Sequence, residues 1–189
     1  MSRGFGVVGL LQEVIPEWLA LAVALLTQLG DFWFLAVLLA VLLWVEREVR
    51  VDIAILAGVW LLGHGTSVLL KAVFRLPRPG DPLADPDSMS GLVATIYEPT
   101  AHATGYGFPS GHAISATVVF VGLAAILPWS TPTRRWTVAS GLVVVVSLTR
   151  VALGVHYLVD VIAGVAIGLA LLGLARGVSA RWGREWPAS

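Results

Sequence analysis

The sequence predicts an all-α fold: a polytopic membrane helical bundle of about six transmembrane helices in a single domain, 1–189. Three observations carry that prediction. The chain is 57% apolar and only 13% charged, with a mean hydropathy of +0.85, outside the range of soluble globular domains. Its apolar residues gather into six stretches, near 14–29, 32–45, 51–70, 113–129, 136–153 and 157–174. A bilayer core about 30 Å thick asks for about 20 apolar residues per helix, so a chain of 189 residues holds at most about six spans and no second domain.

The last four stretches have the length of full spans. The first two are short, and Glu17 falls inside the first. They are expected to tilt, to pair as a helical hairpin or to borrow residues 5–11; losing both as a pair would leave the later topology unchanged. Between the third and fourth stretches, residues 75–109 form the one long loop, rich in Pro, Gly, Asp and Thr, expected as an ordered cap or a lid. Residues 131–135 read as a polar turn, and the tail after Arg176 is basic. Arg3 precedes apolar residues, but Glu13 and Glu17 interrupt any signal-peptide core, so the N-terminus reads as mature.

With no cysteine, disulfides, thiol catalysis and cysteine-based metal sites are excluded. Net charge is zero and no basic run occurs, which gives no footprint for nucleic acid. No sequence feature speaks for a particular oligomeric state. In a six-span layout Arg3, Arg47, Arg50, Arg134, Arg135, Arg176, Arg181 and Arg184 share one side, while Lys71, Arg75, Arg78 and Arg150 fall on or near the other. The positive-inside rule then places both termini in the cytoplasm and the long loop outside. The ends and starts of spans that face outward are also where the polar clusters lie.

His156 and Asp160 stand one helical turn apart at the start of the last apolar stretch. That spacing puts both on one face, where the carboxylate can hold one ring nitrogen and leave the other free to attack phosphorus. A structural His–Asp hydrogen bond is the alternative. His112 follows Pro109, Ser110 and Gly111; Ser110 is a natural N-cap, Gly111 allows an anion to approach the backbone, and His112 is placed to protonate a leaving oxygen. Pro-Ser-Gly is equally ordinary punctuation at a helix start.

Lys71, Arg78 and Arg150 end spans, where snorkelling to the interface is the simple account. That account suffices for Arg75. For the other three, convergence on one anion explains more, because phosphoryl transfer spreads charge over three oxygens and needs donors aimed at them. His64, two turns below Lys71, reads as a buried, hydrogen-bonded histidine. His102, Asp81, Asp85, Asp87 and Glu98 read as solvated loop residues, the acidic ones with at most weak affinity for a divalent cation.

Lys71, six residues, Arg78-Pro79; then Pro109-Ser110-Gly111-His112; then Arg150, five residues, His156, three residues, Asp160: this tripartite order resembles the type 2 phosphatidic acid phosphatase superfamily. One departure is Thr149, where the family pattern usually has Ser before the arginine. The resemblance implies a lipid phosphatase in which His156 becomes a phosphohistidine, Asp160 orients it and His112 protonates the leaving group. Lys71, Arg78, Arg150, Ser110 and Gly111 would hold the phosphoryl oxygens, with no metal and no cofactor. The implied partner is a lipid phosphate: phosphatidic acid, phosphatidylglycerol phosphate or a polyprenyl diphosphate. A phosphotransferase using the same intermediate, a non-catalytic lipid-binding or transport protein, and the soluble halide-oxidising relatives that bind vanadate are the competing readings.

Overall fold

The structure, a computed structural model, describes residues 6–80, 82–85, 91–101 and 103–181; Arg3, Asp81, Asp87, His102 and Arg184 lie outside the described residues, as does the side chain of Arg181. The helices are α1 (Val7–Val14), α2 (Ala20–Thr27), α3 (Phe32–Val45), α4 (Arg50–Phe74), α5 (Gly91–Ala101), α6 (Gly111–Ile126), α7 (Pro132–Ala152) and α8 (Leu158–Arg181). Every regular element among the described residues is helical. Three stretches, Arg50–Phe74, Pro132–Ala152 and Leu158–Val178, are long and apolar enough to cross a membrane, and Phe32–Val45 and Gly111–Ile126 are shorter apolar helices. The chain is a multi-pass membrane protein.

Local chemistry sets the helix ends. Asp31 caps α3 by accepting from the Trp33 amide at 2.9 Å, and Thr131 caps α7 just before Pro132, whose missing N–H costs nothing at a first helical position. Arg75 ends α4 in the left-handed region (φ 49°), and its Nε donates to Ala72 O at 3.0 Å. This exposed arginine thus caps its own helix, as expected of a residue outside the phosphate cluster.

The four long stretches meet through small residues. A β-carbon on Gly164 would sit 2.7 Å from Ser110 O and 2.9 Å from the Ala113 Cβ, and one on Gly168 would sit 2.7 Å from the Thr117 Cβ. Asp160, Gly164 and Gly168, each four residues apart, therefore form the face of α8 on which α6 lies, the close approach that small residues permit between membrane helices. Within α6 the turn Thr117–Val121 is a π-helix and buries Thr117, Val118, Val119 and Phe120.

Neither of the first two apolar stretches forms a single long helix: Phe32–Val45 is a short apolar helix, and α1 meets Glu17–Gly30 at a bend of 95°. Ala20, Val23 and Ala24 share a buried cluster with Ala152, Leu153 and Val155 at the end of α7. Further along, Thr27 bonds Arg150, and a β-carbon on Gly30 would meet Val146. Phe32 then stacks on Trp60, 4.7 Å between ring centroids, and Leu43 O accepts from Arg50 Nε at the start of α4. Each step moves away from the end of α7, so residues 20–45 run one way along the bundle. As continuous helix at about 1.5 Å per residue, 26 residues would measure about 39 Å, the length of one crossing; the turn Gln28–Gly30 and the extended Asp31 interrupt the helix between α2 and α3. Preceding it, α1 packs at the same end as Ala20: Gln12 Nε2 donates to Ala152 O at 3.1 Å, and Val8 is buried with Ala113, Val151 and Val161.

The loop before α6 is tied down. Tyr97 in α5 is fully buried, accepts from the Ala84 amide at 2.8 Å and donates to the Ala84 carbonyl at 3.2 Å. Burial raises its phenol above the ordinary value, which keeps the donated proton in place. Leu83, Ala84 and Tyr97 cap the cluster that holds Ala152, Leu153 and Val155. Ordered cap, rather than lid, describes this part of the loop.

Candidate active site

α7 ends with Gly154 at φ 69°, a conformation that favours glycine, and the Val155 and His156 amides turn back onto Arg150 O at 3.3 and 3.2 Å. That turn points His156 inward: it is 2% exposed, and Asp160 one turn later is fully buried. His156 Nδ1 lies 3.6 Å from Asp160 Oδ2, beyond hydrogen-bond length, while the same oxygen accepts from the Tyr157 amide at 2.9 Å. The expected ring-to-carboxylate hydrogen bond is thus a looser approach of the carboxylate to the ring. The carboxylate faces Nδ1, and Nε2 faces the cationic side.

That cationic side begins with Arg78. Its Nη1 is 3.2 Å from His156 Nε2 and donates to Val155 O at 2.7 Å, and its Nε donates to Gly105 O at 3.2 Å. Lys71 ends the last turns of α4, with Nζ 3.9 Å from where a β-carbon on Gly111 would stand. Ser67 Oγ would be 3.1 Å from the same point, so only glycine leaves the start of α6 open toward the lysine. Ser110 is fully buried; its amide donates to Asp160 O at 2.9 Å, and its Oγ faces the Ala113 amide at 3.5 Å as the α6 N-cap. His112, in the first turn of α6, lies within electrostatic reach of Arg150, His156, Lys71 and Arg78.

All eight residues singled out from the sequence therefore gather at one end of the bundle, around the junction of α4, α6, α7 and α8. Burial, then the charges of Arg150, Arg78 and Lys71, hold the His156 imidazole well below its ordinary value, with the Gly107 backbone pulling the other way. That direction favours the neutral ring, the form that attacks as a nucleophile. The cluster as a whole can hold a tetrahedral anion between Nε2 of one histidine and the start of α6.

Thr27, Gly30 and Asp31 also contribute, and none of them was singled out from sequence. Arg150 is 3% exposed, and its Nη1 donates to the buried Thr27 Oγ1 at 3.1 Å, while among the described residues its Nε has no partner. Asp31 is the carboxylate whose charge acts on Arg150. A β-carbon on Gly30 would come within 3.3 Å of His112 Cδ2. Gly107 is pinched: a β-carbon there would lie 3.3 Å from Arg78 Cγ, from Asp160 Oδ2 and from Pro77 O. The only sequence signal for Thr27, Gly30 and Asp31 was a polar interruption in apolar surroundings, which says nothing about a contact more than a hundred residues away.

Two expectations need correction or refinement. His64 is exposed, its ring 5.0 Å from that of Phe32, and makes no hydrogen bond among the described residues. Thr149 is buried, and its hydroxyl donates to Val146 O at 2.7 Å, so its oxygen serves its own helix. Asp85 and Glu98 are exposed, in keeping with solvated loop positions. No group of three or more metal-ligating side chains occurs among the described residues.

Residues 52–184 match the model of the PAP2 superfamily, more than half of the chain and all three motifs. The chain belongs to the PAP2 superfamily. This PAP2 chain is 33% identical over 87 residues to phosphatidylglycerophosphatase B of Bacillus subtilis (strain 168); the match covers 43% of either protein. Its fold is similar to that of a transmembrane PAP2-type phosphatidylglycerolphosphate phosphatase from Bacillus subtilis (TM-score 0.74, 24% identity, 93% of this chain and 84% of that one). It is also similar to Aquifex aeolicus LpxE (TM-score 0.69, 20% identity, 93% and 95%). Thr27, Gly30 and Asp31 lie outside the stretch matched by the PAP2 model.

Proposed function

We propose that this PAP2 chain is a membrane lipid phosphatase that removes a terminal phosphate from a phospholipid or prenyl diphosphate through a phosphohistidine. The observation that carries the reading is the placement of the buried His156 ring, its Nε2 3.2 Å from Arg78 Nη1 and its Nδ1 turned toward Asp160. Nε2 attacks phosphorus, the bond from phosphorus to the lipid oxygen breaks, and His112 gives that oxygen its proton. Lys71, Arg78, Arg150 and the Ser110-Gly111 start of α6 take up the charge on the three remaining oxygens. His112 then draws a proton from water, which attacks phosphorus and frees phosphate and Nε2. Asp160 balances the charge that develops on the ring.

The name of the Bacillus relative points toward phosphatidylglycerol phosphate, with phosphatidic acid and prenyl diphosphates of several lengths as the other substrates to compare. Purified protein in detergent is expected to release phosphate from at least one of them with EDTA present, since the reading needs no metal. Failure on all of them, with lipid binding retained, would favour the non-catalytic reading. Release into an added alcohol in place of water would favour the phosphotransferase.

We further propose that the catalytic end faces outward. Arg47, Arg50, Arg134, Arg135 and Arg176 all sit at the opposite end of the helices, as the positive-inside rule asks. Because residues 20–45 cross once, α1 then lies on the outer, catalytic side and the end of α8 on the inner side, an odd number of crossings. Labelling of a single cysteine introduced at Glu13 by a membrane-impermeant maleimide in intact cells tests this; protection at that position, with labelling at Arg176→Cys, would reverse it.

Two further outcomes follow. The acid limb of kcat/KM is expected below the ordinary imidazole value of 6.5, because only the neutral ring attacks and its folded pKa is depressed. Arg78→Gln removes one of the depressing charges, so the limb shifts to higher pH relative to wild type on the same substrate, a comparison in which the substrate's own titration cancels. Thr27→Val leaves Arg150 Nη1 without its acceptor, and the inhibition constant for vanadate is expected to rise about tenfold, as for a lost bond to a charged group, with Thr27→Ser close to wild type.

A further inference from the structure

At the end of the bundle away from His156, α6 stops at Ile126 and α7 starts at Pro132. Arg135, in the first turn of α7, is only 7% exposed. Its Nη1 donates to Leu127 O at 3.0 Å and so caps the carboxyl end of α6. Among the described residues its buried Nε has no partner and no carboxylate lies within ion-pair distance of it. Capping accounts for one of its donors and leaves the buried charge unbalanced. A guanidinium taken out of water is costly unless an anion joins it.

Arg135 forms one wall of a cavity of about 210 Å³ whose other walls include Leu38, Leu42, Phe120, Leu123 and Leu142. Trp129 lines its mouth and is 55% exposed, and Trp44 at the end of α3 is 75% exposed. Exposed tryptophans at helix ends mark the level of lipid head groups. One cation above hydrocarbon walls matches a molecule with a phosphate at one end and an acyl chain at the other, and it is poorly matched to a free anion.

We propose that this cavity binds one anionic phospholipid of the leaflet opposite the catalytic cluster, its phosphate on Arg135 and an acyl segment along Leu38, Leu42, Phe120, Leu123 and Leu142. The site is separate from the phosphate cluster, and binding there holds the α3, α6 and α7 ends together.

The test is thermal unfolding of the purified protein in detergent with dioleoylphosphatidylglycerol, dioleoylphosphatidylcholine or inorganic phosphate added. Phosphatidylglycerol is expected to raise the Tm of wild type, and Arg135→Gln to weaken its apparent affinity at least about tenfold. Leu142→Trp fills the cavity while leaving Arg135 and its cap in place; it should lose the same response yet keep wild-type phosphate release, so the test stands even if Arg135→Gln folds poorly. An undiminished phosphatidylglycerol response in Leu142→Trp would overturn the proposal. So would an equal response to phosphatidylcholine, or an Arg135-dependent response to inorganic phosphate alone.

Discussion

His156→Ala is expected to lower phosphate release by roughly four orders of magnitude or more, the scale on which hydrolytic enzymes suffer from losing the nucleophile. The ring is nearly fully buried, yet alanine removes it without adding volume, so the variant should remain a folded bundle with only a modest drop in Tm. Wild-type protein incubated with ³²P-labelled substrate and quenched in alkaline detergent should carry label that survives base and is lost in acid; the variant should carry none. Activity equal to wild type in the alanine variant would remove the covalent mechanism altogether.

Gly164→Val is the second large effect, and it acts on the fold. Its β-carbon would lie 2.7 Å from Ser110 O and 2.9 Å from the Ala113 Cβ, and the first of these is backbone that cannot rotate away. Pushing α8 off α6 is expected to cost on the order of 3 kcal/mol. The same movement stretches the 2.9 Å bond from the Ser110 amide to Asp160 O, so both the N-cap of α6 and the carboxylate beside His156 shift. Unfolding in detergent should show a clear fall in Tm, and the folded remainder should release phosphate more slowly than wild type. A variant as stable as wild type would mean that the close approach of α6 and α8 does not depend on this glycine.

Much of the bundle could be read from sequence because its signals are local. The four later helices begin and end within a few residues of the stretches expected from hydropathy, since a run of about 20 apolar residues has few other fates. The three motifs converge because each stands at a helix end, and helices of similar length joined by short turns bring alternate ends together. The N-terminal third was harder. Residues 28–31 combine a polar residue, a glycine and a helix-capping aspartate, which is what a hairpin turn also looks like. Hydropathy measures how apolar a segment is and carries no sign for its direction, so a bend that continues and a turn that reverses are indistinguishable. Under the proposed orientation, that single ambiguity decides whether the number of crossings is even or odd.

The reading of His64 failed for a related reason. It depended on which neighbour covers a given helix face, and that neighbour comes from another part of the chain; His64 was expected to be buried and is exposed. The role of Thr27 was out of reach of the sequence on the same ground, since the buried guanidinium it accepts from belongs to Arg150.

Asp160 serves three neighbours at once: its backbone oxygen anchors the start of α6, and one carboxylate oxygen anchors the Tyr157 amide while standing beside the His156 ring. For anyone recruiting this scaffold to a new phosphorylated substrate, that position is the pin to leave untouched. Variation belongs instead in the hydrocarbon-facing side chains, where selectivity can be retuned without disturbing the alignment of the reacting groups.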